Sequence, residues 1–255
     1  MGLFDLFKKK KEEPSDNDVS QIMALIAPGG YEFTHISECI KRNRFDVLYQ
    51  SPTCFCLYDN VTECYFIEEI NEEDVKVMID ELRASYVLNK VLTTSDFVRD
   101  YLKDKYPYNH YENCYQAVCV KPPKQPKTDL IISPAEGEDI YYIQETYKEM
   151  SLEDIQDRFD KECMWVARLQ KDGPIVAYCG IHNDGTVGFE YVTDSQRRKG
   201  YGSAMMLYAT YQALEKSLTP YVHILKHNVS SLRLHNKIGY ETSRLSYYWL
   251  FDEYQ

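Results

Sequence analysis

The run Arg197-Arg198-Lys199-Gly200-Tyr201-Gly202-Ser203 carries the most telling chemistry in this sequence. Thr186–Val192 before it is rich in β-branched and aromatic residues, as a strand requires. Ala204, Met205, Leu207, Tyr208, Tyr211 and Leu214 after it recur at helical spacing. The basic glycine loop therefore sits where a strand hands over to a helix. There the first backbone N–H groups lack intrahelical partners and the helix dipole is positive, so the expected ligand is an anion. Gly200 and Gly202 let the backbone approach phosphate oxygens without a Cβ in the way. The spacing is neither Gly-x-x-x-x-Gly-Lys-Ser/Thr nor Gly-x-Gly-x-x-Gly.

Two flanking segments must position this loop. A strand is expected over 221–227 and a helix over 229–237, within Asn228-Val-Ser-Ser-Leu-Arg-Leu-His-Asn-Lys-Ile-Gly-Tyr240. The loop resembles the coenzyme A pyrophosphate loop of the GNAT acetyltransferase superfamily. The later segment resembles that superfamily's second signature at Asn228, Ser231, Leu232, Leu234, Lys237, Gly239 and Tyr240. The resemblance covers about residues 130–255. It implies a GNAT fold, a mixed twisted α+β sheet flanked by helices, and acetyl-CoA as cofactor. The coenzyme-binding residues it implies are Val192, Arg197, Arg198, Lys199, Gly200, Tyr201, Gly202, Ser203, Asn228 and Ser231, with the Val192 N–H as oxyanion donor.

The implied reaction is attack of an unprotonated amine on a thioester carbonyl, which needs a proton acceptor and helps from a proton donor at sulfur. The superfamily often places a Tyr where this chain has His235, so His235 becomes the candidate acid, set against a packing role. Tyr240 is a second donor candidate, although its position matches a core aromatic. His223, on the expected fifth strand, and Glu190, on the fourth, are candidate bases. Strand parity puts Glu190 on one face with Thr186 and Gly188. The acceptor is expected to be a small-molecule amine or an amino acid. A protein or peptide N-acetyltransferase and a non-catalytic coenzyme A sensor stand as alternatives.

The first half repeats the order of elements. Strands are expected at 46–51, 54–58 and 64–67, then a helix near 71–84, a strand 86–93, a helix 95–105 and a strand 114–120. The C-terminal half runs strands 164–168, 175–181 and 186–192, helix 203–216, strand 221–227, helix 229–237 and strand 245–251. Lys121-Pro-Pro-Lys-Gln-Pro-Lys-Thr128 reads as an extended linker. The expected organisation is a degenerate GNAT-like unit at 1–122, a linker at 123–129 and a catalytic unit at 130–255 able to bind coenzyme by itself. This tandem plan is similar to the glycine N-acyltransferase group and its bacterial relatives; an unrelated α+β first domain is the alternative. Degeneracy follows from Glu68-Glu-Ile-Asn-Glu-Glu-Asp74, whose carboxylates repel a pyrophosphate.

The net charge of −11 argues against nucleic acid as partner. The eight cysteines lack paired Cys-x-x-Cys spacing, so buried free thiols are expected rather than disulfides or metal. No apolar run reaches the roughly 20 residues of a membrane span. A soluble cytoplasmic protein without membrane association is the expectation. Phe4, Leu6 and Phe7 form an apolar patch that reads as a frayed terminus or a peripheral contact. Oligomeric state is not legible.

Overall fold

The computed structural model describes residues 16–121, 123, 127–148 and 150–252. The Phe4, Leu6 and Phe7 patch and part of the expected linker lie outside the described residues. The chain opens with α1 (Asp16–Ile26), a 3-10 segment (Ala27–Phe33) and α2 (Thr34–Lys41). Then follow β1 (Phe45–Gln50), β2 (Cys54–Asp59), β3 (Cys64–Glu69), α3 (Glu72–Arg83), β4 (Lys90–Thr93), α4 (Asp96–Lys105) and β5 (His110–Val118). The second half holds β6 (Ile131–Pro134), α5 (Asp139–Thr146), α6 (Leu152–Asp160), β7 (Met164–Arg168), β8 (Ile175–Ile181) and β9 (Val187–Val192). It ends with α7 (Tyr201–Glu215), β10 (Tyr221–Leu225), α8 (Val229–Lys237), β11 (Glu241–Thr242) and β12 (Tyr247–Phe251).

Two sheets result, a small antiparallel one and a large mixed one, and their membership does not follow the linker. One sheet runs β6-β7-β8-β9. The other runs β1-β2-β3-β4-β12-β5-β10, with β11 also paired to β5. The last strand of the chain thus inserts between β4 and β5, with Tyr248 opposite Thr93 on one side and Asn113 on the other. Strand β5 in turn carries β10, in the register His223 to Gln116. The expected division at 123–129 is therefore not a division of hydrogen bonding.

The two halves share one device. After a run of antiparallel strands, a helix crosses over to the next strand. In the first half β3 and β4 pair parallel only at Tyr65–Val91 and Phe66–Leu92, then diverge. In the second half β9 ends one sheet and β10 ends the other, so the corresponding pair is fully splayed. Glu68 bridges the narrower divergence, its carboxyl accepting from the Thr94 backbone N–H (2.7 Å) and hydroxyl (2.5 Å).

Burial pushes the Glu68 carboxyl up to about 8. Its folded pKa thus exceeds the unfolded value, and between about pH 4.5 and 8 the unfolded chain has released a proton that the folded chain keeps. Stability from this group is therefore full below pH 4.5 and declines as pH rises towards 8. Glu68→Gln keeps the shape and cannot ionise. It is expected to melt near the wild type at pH 5 and above it at pH 8; a variant melting lower at pH 8 would contradict the assignment.

All eight cysteines are buried and free. They pack with Ile, Leu, Val and aromatic side chains in three of the apolar cores.

Candidate active site

The cleft between β9 and β10 is built by the splay. It encloses about 650 Å3 and is lined by Thr186–Glu190 on one strand and Val222, His223 and Leu225 on the other. Asn228, Ser230, Ser231 and Leu234 close one end, and Lys90, Glu112, Cys114 and Trp249 contribute from the large sheet. Residues that precede the linker therefore form part of the wall.

Helix α7 begins beside this cleft. Gly200, its N-cap, has φ 88° and ψ 0°, and Arg198 has φ 64°, so the loop turns through two left-handed residues. No side chain caps the helix and its first turn holds no acidic residue. The contrast with α3 is chemical: there Asn71 caps the N–H groups of Glu73 and Asp74, and Glu72, Glu73 and Asp74 occupy the first turn. The first N–H groups of α3 are already capped, whereas those of α7 have no side-chain cap and only the Glu190 carboxylate, held against Gly202, nearby. Arg198 and Lys199 are exposed, and Arg197 is held by Asp194 (3.0 Å) while its Nε donates to the Val192 carbonyl (3.2 Å). Tyr201 is buried and donates to Asp129 (3.2 Å); its ring supports the loop from below.

A β-bulge shapes the facing strand. Tyr191 pairs with Tyr178 and Gly188 with Gly180, leaving Phe189 and Glu190 opposite Cys179 alone, and Phe189 adopts φ 55°. The extra residue reverses strand alternation. Gly188 faces His182, whereas Glu190 faces α7, where a Cβ added to Gly202 would lie 2.4 Å from its Oε1. The parity expected to join Glu190 with Thr186 and Gly188 is thus corrected by the bulge, although all three still line the cleft. Glu190 opens to solvent along the cleft, yet the protein around its carboxyl raises its pKa, an effect Arg197 partly offsets. Beyond the bulge, Thr193 N–H donates to the Val176 carbonyl (2.9 Å), which makes Ala177–Val192 a non-hydrogen-bonded pair. The Val192 N–H therefore points to the open side of β9.

His223 projects into the cleft among the rings of His35, Tyr221, Tyr247 and Trp249. Burial pushes its pKa down to about 4, against a small upward pull from Asp184, so the ring is neutral at pH 7. Asn228 caps α8 by accepting from the Ser231 N–H (3.1 Å), and both residues border the cleft.

The structure turns the other two candidates away. His235 is 2% exposed on the inner side of α8, its Nδ1 2.9 Å from the Ser231 carbonyl and its ring against Tyr240. Tyr240 is buried, its hydroxyl bonded to Thr210 (2.7 Å) within the core. Neither lines the cleft, so both are corrected from acid candidates to packing residues. On α8 position 235 lies about 100° round from Leu234, and its ring tucks beneath the Ser231 carbonyl on the Tyr240 side instead of entering the cleft. Lys90, Glu112 and Trp249 were not singled out from sequence, because their approach depends on the strand exchange.

Residues 132–240 match the model of the acetyltransferase (GNAT) family. Among solved structures the chain is similar to a Drosophila protein, at 14% identity over 92% of this chain and 96% of that one, with a TM-score of 0.70. It is also similar to a GCN5-related N-acetyltransferase from Kribbella flavida, at 11% identity over 87% and 94% of the two chains, TM-score 0.57. A GCN5-related N-acetyltransferase-like protein from Streptococcus suis gives 13% identity over 92% and 98%, TM-score 0.56. These likenesses show the fold, which is that of GNAT proteins. No curated protein matches the chain.

Proposed function

We propose, from the GNAT fold and the family match over residues 132–240, that this protein moves an acetyl group from acetyl-CoA to a primary amine of a small molecule or amino acid. One observation carries the reading: an uncapped helix N-terminus, entered through left-handed Arg198 and Gly200, opens beside a cleft between splayed strands. The donor set fits a pyrophosphate, with backbone N–H groups from Lys199 to Ser203 and the side chains of Arg198 and Lys199. Asn228 and Ser231 border the path from that loop into the cleft. The tandem plan related to the glycine N-acyltransferase group belongs to the same proposal, with 1–122 as a unit that has lost its anion site.

The Val192 N–H, on the open side of β9 just beyond the cleft residues Thr186–Glu190, would meet the carbonyl oxygen as it gathers charge, and Glu190 and His223 receive the proton that the amine gives up. A nitrogen–carbon bond forms, the carbon–sulfur bond breaks, and the thiolate leaves with a proton from solvent. Glu190, with its raised pKa, is the better matched acceptor; His223, neutral at pH 7, keeps an open lone pair. His223 lining the cleft favours catalysis over a coenzyme sensor, and the wall that Lys90, Glu112 and Trp249 add to it favours a small acceptor over a protein chain.

The test is release of free coenzyme A thiol from acetyl-CoA across a panel of amines and amino acids. No release with any acceptor would overturn the reading. Gly200→Val probes the loop directly. Its φ of 88° costs a β-branched residue about 1–2 kcal/mol, so the loop relaxes and acetyl-CoA affinity is expected to fall about tenfold by calorimetry. Unchanged affinity in the folded variant would remove the loop from the site.

A further inference from the structure

Strand β5 precedes the linker, yet it sets a fully buried side chain against the cleft histidine. Gln116 is 0% exposed and stands directly opposite His223 in the β5–β10 ladder. Its side-chain nitrogen lies 2.9 Å from the Tyr31 carbonyl and 3.1 Å from the Glu32 carbonyl. Both are acceptors only, so the NH2 end of the amide must face them. The amide oxygen is then the end that faces His223, 3.3 Å from its Nε2. An oxygen without hydrogen can only accept, and therefore Nε2 of His223 carries the ring proton.

The amide cannot flip, because a flip would turn its oxygen on two carbonyl oxygens. Its backbone is fixed as well, the Gln116 N–H donating to Ser243 Oγ (3.0 Å) and the Ser243 N–H donating to the Gln116 carbonyl (2.7 Å). The Tyr247 hydroxyl donates to the same Glu32 carbonyl, which holds the 3-10 segment against the sheet. Among the described residues Nδ1 of His223 has no protein partner, and the ring is part of the cleft wall.

We propose that Gln116 is a positioning residue that locks His223 in its Nε2–H form and so presents the Nδ1 lone pair to the acceptor end of the cleft. The role of that lone pair as a proton acceptor rests on the acetyl-transfer reading; the tautomer itself does not. Other titratable groups facing the ring are His35 from α2, Asp184 from the β8–β9 turn, Tyr221 on its own strand, Tyr247 on β12 and Glu190 across the cleft. The chain segment before the linker thus fixes the proton inventory of a cleft whose anion loop lies after it.

The experiment is nitrogen NMR of the full chain labelled with 15N in its six histidines, recorded without acetyl-CoA or amine, with His223→Gln identifying the signals. A protonated Nε2 and an unprotonated Nδ1 at pH 7 are expected. An Nδ1–H form, or a ring averaging between forms, would overturn the proposal. In Gln116→Leu the ring is expected to average, and kcat/KM for the amine to fall about tenfold at unchanged acetyl-CoA affinity, as loss of orientation implies. Unchanged tautomer and unchanged kcat/KM in that variant would also overturn it. If Gln116→Leu does not fold, the wild-type spectrum decides alone. Because that spectrum needs no turnover, it separates failure of this proposal from absence of amine acetylation.

Discussion

A fragment of residues 125–255 is expected not to fold by itself, and neither is residues 1–122. Strand β12 lies between β4 and β5, and β10 is held by β5, so cutting at the linker strips both later strands of their partners. Tyr247, Tyr248 and Leu250 of β12 are at most 4% exposed, buried in cores built mainly by the first half. Returning three such side chains to water costs about 5–9 kcal/mol at 1.5–3 kcal/mol each. A domain is stable by only about 5–15 kcal/mol, so this loss alone consumes most of it. The two fragments expressed together are expected to reassemble, because every pairing they need is present between them. A cooperative thermal transition in 125–255 alone, with acetyl-CoA binding, would refute the exchange as a folding requirement. The sequence reading pointed to the opposite outcome, since repeated element order implies self-contained units.

Asp59→Ala should be the most damaging single substitution outside the cleft. Asp59 is 0% exposed and accepts from Arg44 (2.9 Å), the Val61 N–H (3.0 Å) and Thr62 (2.8 Å). Arg44, 7% exposed, also donates to the Asn183 carbonyl (2.6 Å), in the turn that borders the cleft. Removing the carboxylate leaves a buried guanidinium with one carbonyl for company. An uncompensated buried charge of this kind costs about 3–5 kcal/mol. For a chain of this length that corresponds to a drop in Tm of roughly 10 °C. Replacing both partners together, Arg44→Met with Asp59→Leu, should recover much of the loss, since the cost lies in the orphaned charge. A single variant melting within 2 °C of wild type, to order of magnitude, would show that solvent reaches Arg44.

The halves of the site differed in how openly the sequence displayed them. The basic loop, the strand before it and α7 were legible because glycine, charge and helical periodicity all coincide between 186 and 215. Met164–Arg168, Ile175–Ile181 and Val229–Lys237 were placed to the residue, each being a run with one consistent period. The bulge at Phe189 was not legible, since an aromatic residue in a β-rich run gives no sign that it adopts a positive φ, and with it went the parity of Glu190. His235 was assigned by position in a resemblance, which says nothing of which way a helix is rotated. The strand exchange was invisible for a deeper reason. Tyr247–Phe251 reads as a buried strand whichever sheet receives it, and the partner is chosen by burial across the whole molecule. Helices α1, α2, α5 and α6 received no assignment; each spans 8 to 11 residues, too short a run for its period to stand out in the sequence.

The buried cysteines decide how the chemistry can be watched. Burial raises the thiol pKa of Cys39 and Cys114 to about 12, and those of Cys54, Cys56, Cys64, Cys119 and Cys179 also rise. Thiolate is the reactive form, so none of these groups competes for a disulfide reagent while the chain is folded. A colorimetric thiol titration of the native protein should therefore start from a baseline of at most one equivalent, from Cys163, and rise above it only with sulfhydryl liberated by turnover. Adding denaturant at the end should release eight equivalents per chain, an internal standard for the protein in the same cuvette.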